Sequence, residues 1–524
     1  MTTIAASGWG WRYAGRPEWA VRDLDLTIGD GERVLLLGPS GAGKSTLLFA
    51  LAGVLGGADE GEEAGRLLVD GQHPTRRVGR VGLVQQDPSS QVVLARVGDD
   101  VAFGLENLSV PRPAIWPRVE AALGAVGLDV PLDRTTNALS GGQQQRLVLA
   151  GALAMQSDEP ERRPGLLLLD EPTANLDPAG VAEVRTSVEH VTTGGTTLVI
   201  VEHRVDVWLG MIDRVVVLGG RGVVADGTPE AVLRERGHEL AAQGIWVPGV
   251  PLPVASRGDG HGSRGTSDAS SAGPASGRTG DGARTVSASP AAALRGVGLT
   301  IGYDADHPVL DHLNVTVPRG RSTVITGPNG VGKSTLALTL AGLLPQLGGR
   351  VEAAPDLVPA PANLRQRRLG GQSLADPHAW TSTQLLTRLG TVFQQPEHQF
   401  VAPTVRDELA VGLRALRWEP SAVAARVDEL LELLHLAALA GANPFTLSGG
   451  EKRRLSVGTV LAAGPSVMVL DEPTFGQDRN TWIDLVRLIA GLVDQGRTVI
   501  GVTHDAAYID ALGEHRIELG GRDG

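Results

Sequence analysis

Two glycine-rich segments have the residue types needed to bind phosphate groups. The first is GPSGAGKST from Gly38 to Thr46, and the second is GPNGVGKST from Gly327 to Thr335. Each lies between two apolar stretches, which predicts a strand, a loop and a helix in that order. In such a loop, backbone N–H groups surround phosphate oxygens, and the lysine and the helix N-terminus supply positive charge. The serine hydroxyl after the lysine is a ligand for Mg²⁺.

The spacing of the lysines supports this interpretation. Only three of the 47 basic residues are lysines, namely Lys44, Lys333 and Lys452. Two of the three occupy the same place in the two loops, which argues against an accidental match. The predicted nucleotide-binding positions in these loops are Gly38, Pro39, Ser40, Gly41, Ala42, Gly43, Lys44, Ser45, Thr46, Gly327, Pro328, Asn329, Gly330, Val331, Gly332, Lys333, Ser334 and Thr335; Ser45 and Ser334 are also predicted metal ligands.

Two further apolar runs end in a pair of carboxylates, Asp170-Glu171 and Asp471-Glu472. A buried strand that ends there would place the pair near the phosphate-binding loop. We predict that Asp170 and Asp471 hold Mg²⁺ through its water shell. We predict that Glu171 and Glu472 polarise the water that attacks the phosphate in an in-line transfer.

A histidine follows each acidic pair at the same distance. His203 lies 33 residues after Asp170, and His504 lies 33 residues after Asp471. Each histidine comes within two residues of a β-rich run, so we expect it at the sheet edge that carries the phosphate-binding loop. There an imidazole can contact the terminal phosphate and the water, so both histidines are predicted catalytic residues.

The sequence LSGG occurs twice, each time before a predicted helix. The serine is placed to cap that helix, and the glycines permit close approach to an anion. The residues of the two segments are Ser140, Gly141, Gly142, Gln143, Ser448, Gly449, Gly450 and Glu451, and the family resemblance given below implies that they bind nucleotide.

All of these motifs occur in the same order twice, so the chain is a duplicated unit. Within each copy, short β-rich runs alternate with longer helical stretches, which indicates an α/β fold with a mostly parallel sheet. Residues 256–289 are dominated by Gly, Ser, Ala, Asp and Arg without apolar periodicity, as in a flexible linker. We predict domains at 1–245 and 291–524, joined by a linker at 246–290.

Composition excludes several classes of protein. The chain has a net charge of −12, which argues against the basic surface that nucleic-acid binding requires, so we expect no nucleic-acid partner. No cysteine is present, which leaves only oxygen or imidazole ligands for a metal. No apolar run reaches the roughly 18 residues that a membrane span needs. Residues 1–12 do not resemble a secretory signal, so we expect a cytoplasmic location.

The ordered set of motifs closely resembles the ATP-binding cassette (ABC) family of ATPases. This resemblance implies two P-loop nucleotide-binding domains, each with a helical subdomain, that pair head to tail. Lys44 would then face Ser448 and Lys333 would face Ser140, with ATP between them. Glu451 stands where the family usually has glutamine.

The same resemblance gives roles to four more residues. Tyr13 and Tyr303 would stack on adenine. Gln86 in VQQDP and Gln394 in VFQQP would touch Mg²⁺ and transmit its state to a partner protein. The expected ligands of the chain are therefore ATP and Mg²⁺.

A narrower resemblance is to the ATPase subunits of energy-coupling factor (ECF) importers for vitamins, cobalt or nickel. It is carried by residues 81–91, 99–107, 391–400, 404–409 and 475–478. It implies a separate transmembrane scaffold subunit and a substrate-binding membrane subunit. The chain would then lie at the cytoplasmic face of the membrane. We expect the scaffold to dock near Val92 and Phe400, apolar positions just beyond the two glutamine motifs.

Two alternatives remain open. A soluble tandem cassette ATPase that acts on ribosomes or nucleic acid would be expected to have a charged helical linker and a basic face. A tandem ATPase of a sugar importer typically has one degenerate site, whereas both sites are intact here.

Overall fold

The computed structural model describes residues 3–39, 41–57, 59–76, 81–155, 165–173, 176–202, 205–257, 291–364, 366–367, 374–474 and 477–520. The described residues form two compact units. The first contains the residues up to Pro253 together with 477–484. The second contains Val254–Thr474 together with the residues from Leu485 onward.

The first unit is built on two sheets. Its strands are β1 Ile4–Tyr13, β2 Val21–Ile28, β3 Arg33–Leu37, β4 Gly61–Val69, β5 Val81–Val84, β6 Leu166–Asp170, β7 Thr197–Val201, β8 Arg214–Gly219 and β9 Gly222–Gly227. In the described part of the unit, one sheet has the order β5-β6-β7-β3-β8-β9 and the other has the order β2-β1-β4. The first sheet is parallel except for the antiparallel pairing of β9 with β8, and the second is antiparallel.

Helices pack against these sheets. They are α1 Lys44–Leu51, α2 Val97–Asn107, α3 Arg112–Ala125, α4 Gly141–Ala154, α5 Pro178–Thr192, α6 Val205–Trp208 and α7 Pro229–Ala242. Apolar residues of α2, α3 and α4 share one core cluster with the inner strands. This group of helices corresponds to the predicted helical subdomain.

The second unit repeats the plan. Its strands are β10 Ala292–Ile301, β11 Leu310–Pro318, β12 Ser322–Thr326, β13 Gly348–Ala353, β14 Leu389–Val392, β15 Val467–Asp471, β16 Thr498–Val502 and β17 His515–Glu518. The parallel sheet has the order β14-β15-β16-β12-β17, and the antiparallel sheet has the order β11-β10-β13, within the residues described.

The corresponding helices are α8 Lys333–Leu340, α9 Ser382–Leu386, α10 Val405–Ala415, α11 Pro420–Leu433, α12 Gly449–Ala463, α13 Arg479–Asp494 and α14 Ala506–Leu512. Residues 479–484 of α13 belong to the first unit. Within the part of the chain that the structure describes, none of the helices combines the length and the apolar character that a membrane span requires.

Burial explains why the inner strands read as continuous apolar runs. Leu166–Leu169 are at most 1% exposed, because strands inside a parallel sheet are covered on both faces. The same holds for Val467–Leu470. The carboxyl ends of these strands lie at one edge of each sheet, where β3 and β12 also end. The predicted α/β fold with a mostly parallel sheet is confirmed, and each unit adds an antiparallel sheet.

Candidate nucleotide sites

The glycine-rich loops join a parallel strand directly to a helix, as their sequence predicts. Gly43 and Gly332 precede α1 and α8 with φ of 83° and 104°, a left-handed conformation that glycine adopts without strain. Neither helix has a side-chain cap, which leaves backbone N–H groups of the first turn for an incoming anion. Of the predicted loop residues, Ser40 lies outside the described part of the chain.

Both lysines fold back over their own loops. The Lys44 ammonium donates hydrogen bonds to the carbonyl oxygens of Gly38 at 2.8 Å and Pro39 at 3.1 Å. Lys333 makes the same two bonds with Gly327 and Pro328, at 2.9 and 2.8 Å. The loops therefore hold each ammonium group at their centre, where phosphate would bind.

The acidic pair of the first unit lies close enough to Lys44 to influence its charge. Burial lowers the pKa of the Lys44 ammonium, and the charges of Glu171 and Asp170 oppose that shift. Asp170 is the last residue of β6 and is 6% exposed. The structure thus brings together the loop and the acidic pair of this unit.

In the second unit, Asp471 has the features of a ligand for a hard cation. Burial raises the pKa of its carboxyl group, while a hydrogen bond with the Ser334 side chain and the charges of Arg453 and Lys333 oppose the rise. Its Oδ1 atom is buried and has no hydrogen-bond partner among the described residues. A hydroxyl and a free carboxylate oxygen are the donors that Mg²⁺ prefers, so these residues fit the ion.

The two glutamates share an uncommon backbone conformation. Glu171 has φ of 48° and Glu472 has φ of 47°, which few residues with a side chain adopt. Their N–H groups donate to the carbonyl oxygens of Val201 at 2.8 Å and Val502 at 2.9 Å. Each bend turns the chain away from its strand at the residue predicted to activate water.

The carboxylates of the two glutamates have different neighbours. The side-chain amide of Gln86 donates a 2.7 Å hydrogen bond to Glu171. Glu472 accepts a 3.0 Å hydrogen bond from the hydroxyl of Thr503. Burial raises the pKa of Glu472 to about 7, although the Thr503 bond acts in the opposite direction.

One of the two predicted histidines can be placed. His504 Nε2 lies 2.8 Å from Oδ1 of Asn329, so it contacts the phosphate-binding loop of the second unit. His203 lies outside the described residues.

The two LSGG segments cap helices α4 and α12 in the same way. The Ser140 hydroxyl accepts from the backbone N–H of Gln143, whose side chain accepts from the Ser140 N–H at 3.1 Å. Ser448 and Glu451 make the same reciprocal pair, with the corresponding side-chain bond at 2.8 Å. Glutamate therefore replaces glutamine at position 451 without losing this pattern, because either side chain supplies the acceptor.

The two candidate adenine tyrosines have different surroundings. The Tyr13 hydroxyl lies 3.2 Å from Thr46 Oγ1, and its ring meets Trp11 edge to face at 6.3 Å. Tyr303 is 71% exposed. Tyr303 thus offers a free ring face, whereas Tyr13 is already packed in its own unit.

The expected docking positions need correction. Phe400 is only 6% exposed and packs edge to face on Phe445, so it belongs to the core and is not available to a partner. Val92 is partly buried against a core cluster. The next residue in each copy is open instead, with Val93 60% and Val401 75% exposed. A move of one position along the chain therefore changes a buried side chain to an exposed one.

Several site residues were not predicted from the sequence. Arg453 is buried, and it donates to the carbonyl oxygens of Phe393 at 2.8 Å and Gln394 at 2.6 Å. Burial lowers its pKa to about 10, against the charges of Glu472 and Asp471. The glutamine segment is thereby tied to the helix that follows LSGG.

Threonines near the acidic pairs were also missed. Thr173 donates a 2.6 Å hydrogen bond to Glu202, and Thr474 donates a 2.8 Å hydrogen bond to Asp505. The signal that could have found them is positional, because both threonines follow an acidic pair by two residues.

Known proteins resemble this chain over nearly its whole length. The ABC transporter family matches residues 21–174 and 310–475. A Bifidobacterium longum protein, provisionally named ABC transporter ATP-binding protein BL0043, is 35% identical over 97% of this chain, which spans 64% of that protein. A Bacillus subtilis protein with the provisional name HMP/thiamine import ATP-binding protein YkoD is 31% identical over 95% of this chain and 86% of its own length.

A solved structure shows the same fold at low identity. It is a complex of archaeal ribosomal stalk protein aP1 and the archaeal ribosome recycling factor aABCE1, with a TM-score of 0.58 at 20% identity, covering 98% of this chain and 87% of that chain. At this identity the likeness concerns fold alone. The family match supports more than the fold, because residues 21–174 and 310–475 include the loops, acidic pairs and LSGG segments of both copies. The chain therefore belongs to the ABC transporter family, as a tandem ABC ATPase.

Proposed function

We propose that this chain is the Mg²⁺-dependent, ATP-hydrolysing subunit of a membrane importer of the ECF type, which takes up vitamins or transition-metal ions. The observation that supports hydrolysis best is the meeting of loop, acidic pair and histidine in the second unit. Lys333 donates a hydrogen bond to a carbonyl oxygen of the glycine-rich loop, and His504 contacts Asn329 of the same loop. The Ser334 side chain bonds to Asp471, and the charges of Asp471 and Lys333 both influence the pKa of Glu472.

Each loop would bind the phosphates of ATP. The Lys44 and Lys333 ammonium groups would exchange their bonds with loop carbonyls for bonds with phosphate oxygens, because a charged acceptor is stronger. The exposed ring of Tyr303 would stack on adenine in the second unit, and Tyr13 would have to leave its contact with Trp11 to do the same in the first.

The residues that would hold Mg²⁺ are Ser334, Asp471 and Gln394 in the second unit, with Ser45, Asp170 and Gln86 as their counterparts. When bound, this ion neutralises charge that develops on the phosphate oxygens. Glu171 and Glu472 would accept a proton from the attacking water, and His504 would orient that water from the loop side.

We propose that each complete site also uses the LSGG segment of the other copy, so that Lys44 pairs with Ser448 and Lys333 with Ser140. The support is the family membership and the presence of both segments in one chain. Since the Gly- and Ser-rich stretch 256–289 joins the copies, both sites would form within one molecule.

The partner is proposed to be a transmembrane scaffold that works with a substrate-binding membrane subunit, with this chain at the cytoplasmic face. The 31% identity to a relative named for HMP/thiamine import favours this over the ribosome-associated alternative. That alternative rests on a likeness of 20% identity, and a net charge of −12 disfavours an RNA surface.

The test uses Glu171→Gln and Glu472→Gln, singly and together, in the full chain. The double variant should retain bound ATP and release phosphate at least 100-fold more slowly than the wild type, because the substitution removes only the base. The single variants should differ from each other. Phosphate release by the double variant at the wild-type rate would show that these glutamates do not activate water.

The importer assignment has its own test. The tagged chain should copurify from membranes with a polytopic scaffold protein, and Mg²⁺-ATP should drive substrate uptake in vesicles that contain both. Copurification with ribosomal particles in place of a membrane protein would favour the alternative.

A further inference from the structure

The two acidic pairs share a backbone conformation, but their carboxylates are held differently. Glu171 and Glu472 differ by one degree in φ, and each N–H group donates to the last residue of the neighbouring strand. Because the backbone is alike, a difference in the position of the two carboxylates must come from the side chains around them.

In the second unit the holding group is Thr503, which directly follows strand β16 and is fully buried. Its hydroxyl accepts the backbone N–H of Asp505 at 3.1 Å and donates to Glu472 at 3.0 Å. Since the N–H group occupies an acceptor site of the hydroxyl, the hydroxyl proton is directed to the carboxylate.

In the first unit the equivalent position, one residue before the predicted histidine, is Glu202. Its carboxylate is 4% exposed and accepts hydrogen bonds from Thr173 at 2.6 Å and from the indole of Trp208 at 3.4 Å. Glutamate at this position has no alcohol hydroxyl of the kind by which Thr503 donates to Glu472. Gln86 donates to Glu171 instead, at 2.7 Å.

We propose that Thr503 is a positioning residue for Glu472, and that Gln86 performs this task for Glu171. The inference rests on the proposed role of both glutamates in hydrolysis. Under this proposal the two sites are regulated differently. Glu171 is hydrogen-bonded to the glutamine segment, whereas Glu472 is hydrogen-bonded to the residue that follows strand β16. A partner that displaces residues 85–93 would then alter hydrolysis at the first site more than at the second.

The test isolates the second site with Glu171→Gln. In that background Thr503→Val keeps the volume of the side chain and removes the donor. We expect kcat to fall about tenfold with KM changed by less than twofold, because the bond orients the base and does not touch ATP. Thr503→Ser should restore kcat to within twofold. The matched control is Thr498→Val at the opposite end of strand β16, where the buried hydroxyl accepts a 2.9 Å hydrogen bond from the Gly320 N–H; this change should alter kcat by less than twofold.

Three results would overturn the role of Thr503. They are an unchanged kcat in the Thr503→Val variant, a failure of Thr503→Ser to restore activity, or an equal loss in the Thr498→Val control. Hydrolysis at the wild-type rate by the variant that carries both Glu171→Gln and Glu472→Gln would instead contradict the proposed function, so the two failures can be told apart.

A reciprocal experiment tests the first site. Gln86→Leu in the Glu472→Gln background should reduce kcat at least tenfold more than Gln394→Leu does in the Glu171→Gln background. Both glutamines are proposed to contact Mg²⁺, so equal losses would mean that Gln86 has no additional role in holding Glu171.

Discussion

The imidazole of His504 lies 2.8 Å from the side-chain oxygen of Asn329. This contact connects the segment after strand β16 to the phosphate-binding loop of the second unit. The contact means that the histidine is oriented by the loop it is proposed to serve. With Glu171→Gln present, His504→Ala should lower phosphate release about 100-fold, and Asn329→Ala should lower it about three- to tenfold, because the second change removes the orienting bond but leaves the imidazole in place.

Steady-state phosphate release and ATP affinity together check this prediction. Ser334→Ala serves as a comparison, since it should weaken Mg²⁺ dependence rather than orientation. Equal losses for Asn329→Ala and His504→Ala would contradict an orienting role.

The buried carboxyl of Glu472 makes stability depend on pH. Its pKa is about 7 in the folded protein against an ordinary value of 4.5, so between these values the folded state binds more protons than the unfolded state. The favourable contribution is complete below about pH 4.5 and is lost as the pH rises through 7. Glu472→Gln should therefore stabilise the protein by about 1–2 kcal/mol at pH 8 and by little at pH 4.5.

Denaturant unfolding without ATP or Mg²⁺ measures this difference. Glu230→Gln is the matched control, because its side chain is 82% exposed and its change should stay within about 0.5 kcal/mol at both pH values. A pH-independent difference between wild type and Glu472→Gln would contradict the prediction.

The capping pair at the second LSGG segment predicts unequal effects of two substitutions. Ser448→Ala removes the oxygen that accepts the Glu451 N–H and should cost about 1 kcal/mol of stability. Glu451→Gln keeps the reciprocal acceptor and should cost less than about 0.5 kcal/mol, with ATP hydrolysis unchanged within twofold. Thermal melting and phosphate release check both, and a larger loss for Glu451→Gln would show that its charge matters.

The exposed valines beyond the glutamine motifs predict where a scaffold binds. Val93→Asp and Val401→Asp should leave the melting temperature within about 2 °C and reduce copurification of a membrane scaffold. Phe400→Asp should instead destabilise the protein by several kcal/mol, because it buries a charge in the core. Leu364→Asp, another exposed apolar site, is the control that should affect neither property.

The sequence predicted those parts of the molecule whose chemistry depends on a contiguous motif. The glycine loops, the acidic pairs and the LSGG caps carry their geometry within a few residues, so reading them located the strands and helices that hold them. Thr503 and Arg453 could not be found in this way, since their roles depend on contacts with residues about 30 and 60 positions away.

The error at Phe400 has a physical cause of another kind. Residues 400 and 401 are both apolar, and composition does not reveal which of two adjacent side chains turns inward at the end of a short helical turn. The antiparallel sheets were not predicted either, because register shifts in β1 and β10 interrupt the alternation that identifies such strands.

At positions 171 and 472 the residue type that suits the left-handed backbone differs from the residue type that hydrolysis is proposed to need. A glycine or asparagine there would relax the main chain by about 1 kcal/mol, while removing the carboxylate on which hydrolysis is proposed to depend. Directed evolution for heat resistance alone would thus enrich inactive chains at these two positions. A selection that aims at a more robust enzyme must therefore score turnover in every round.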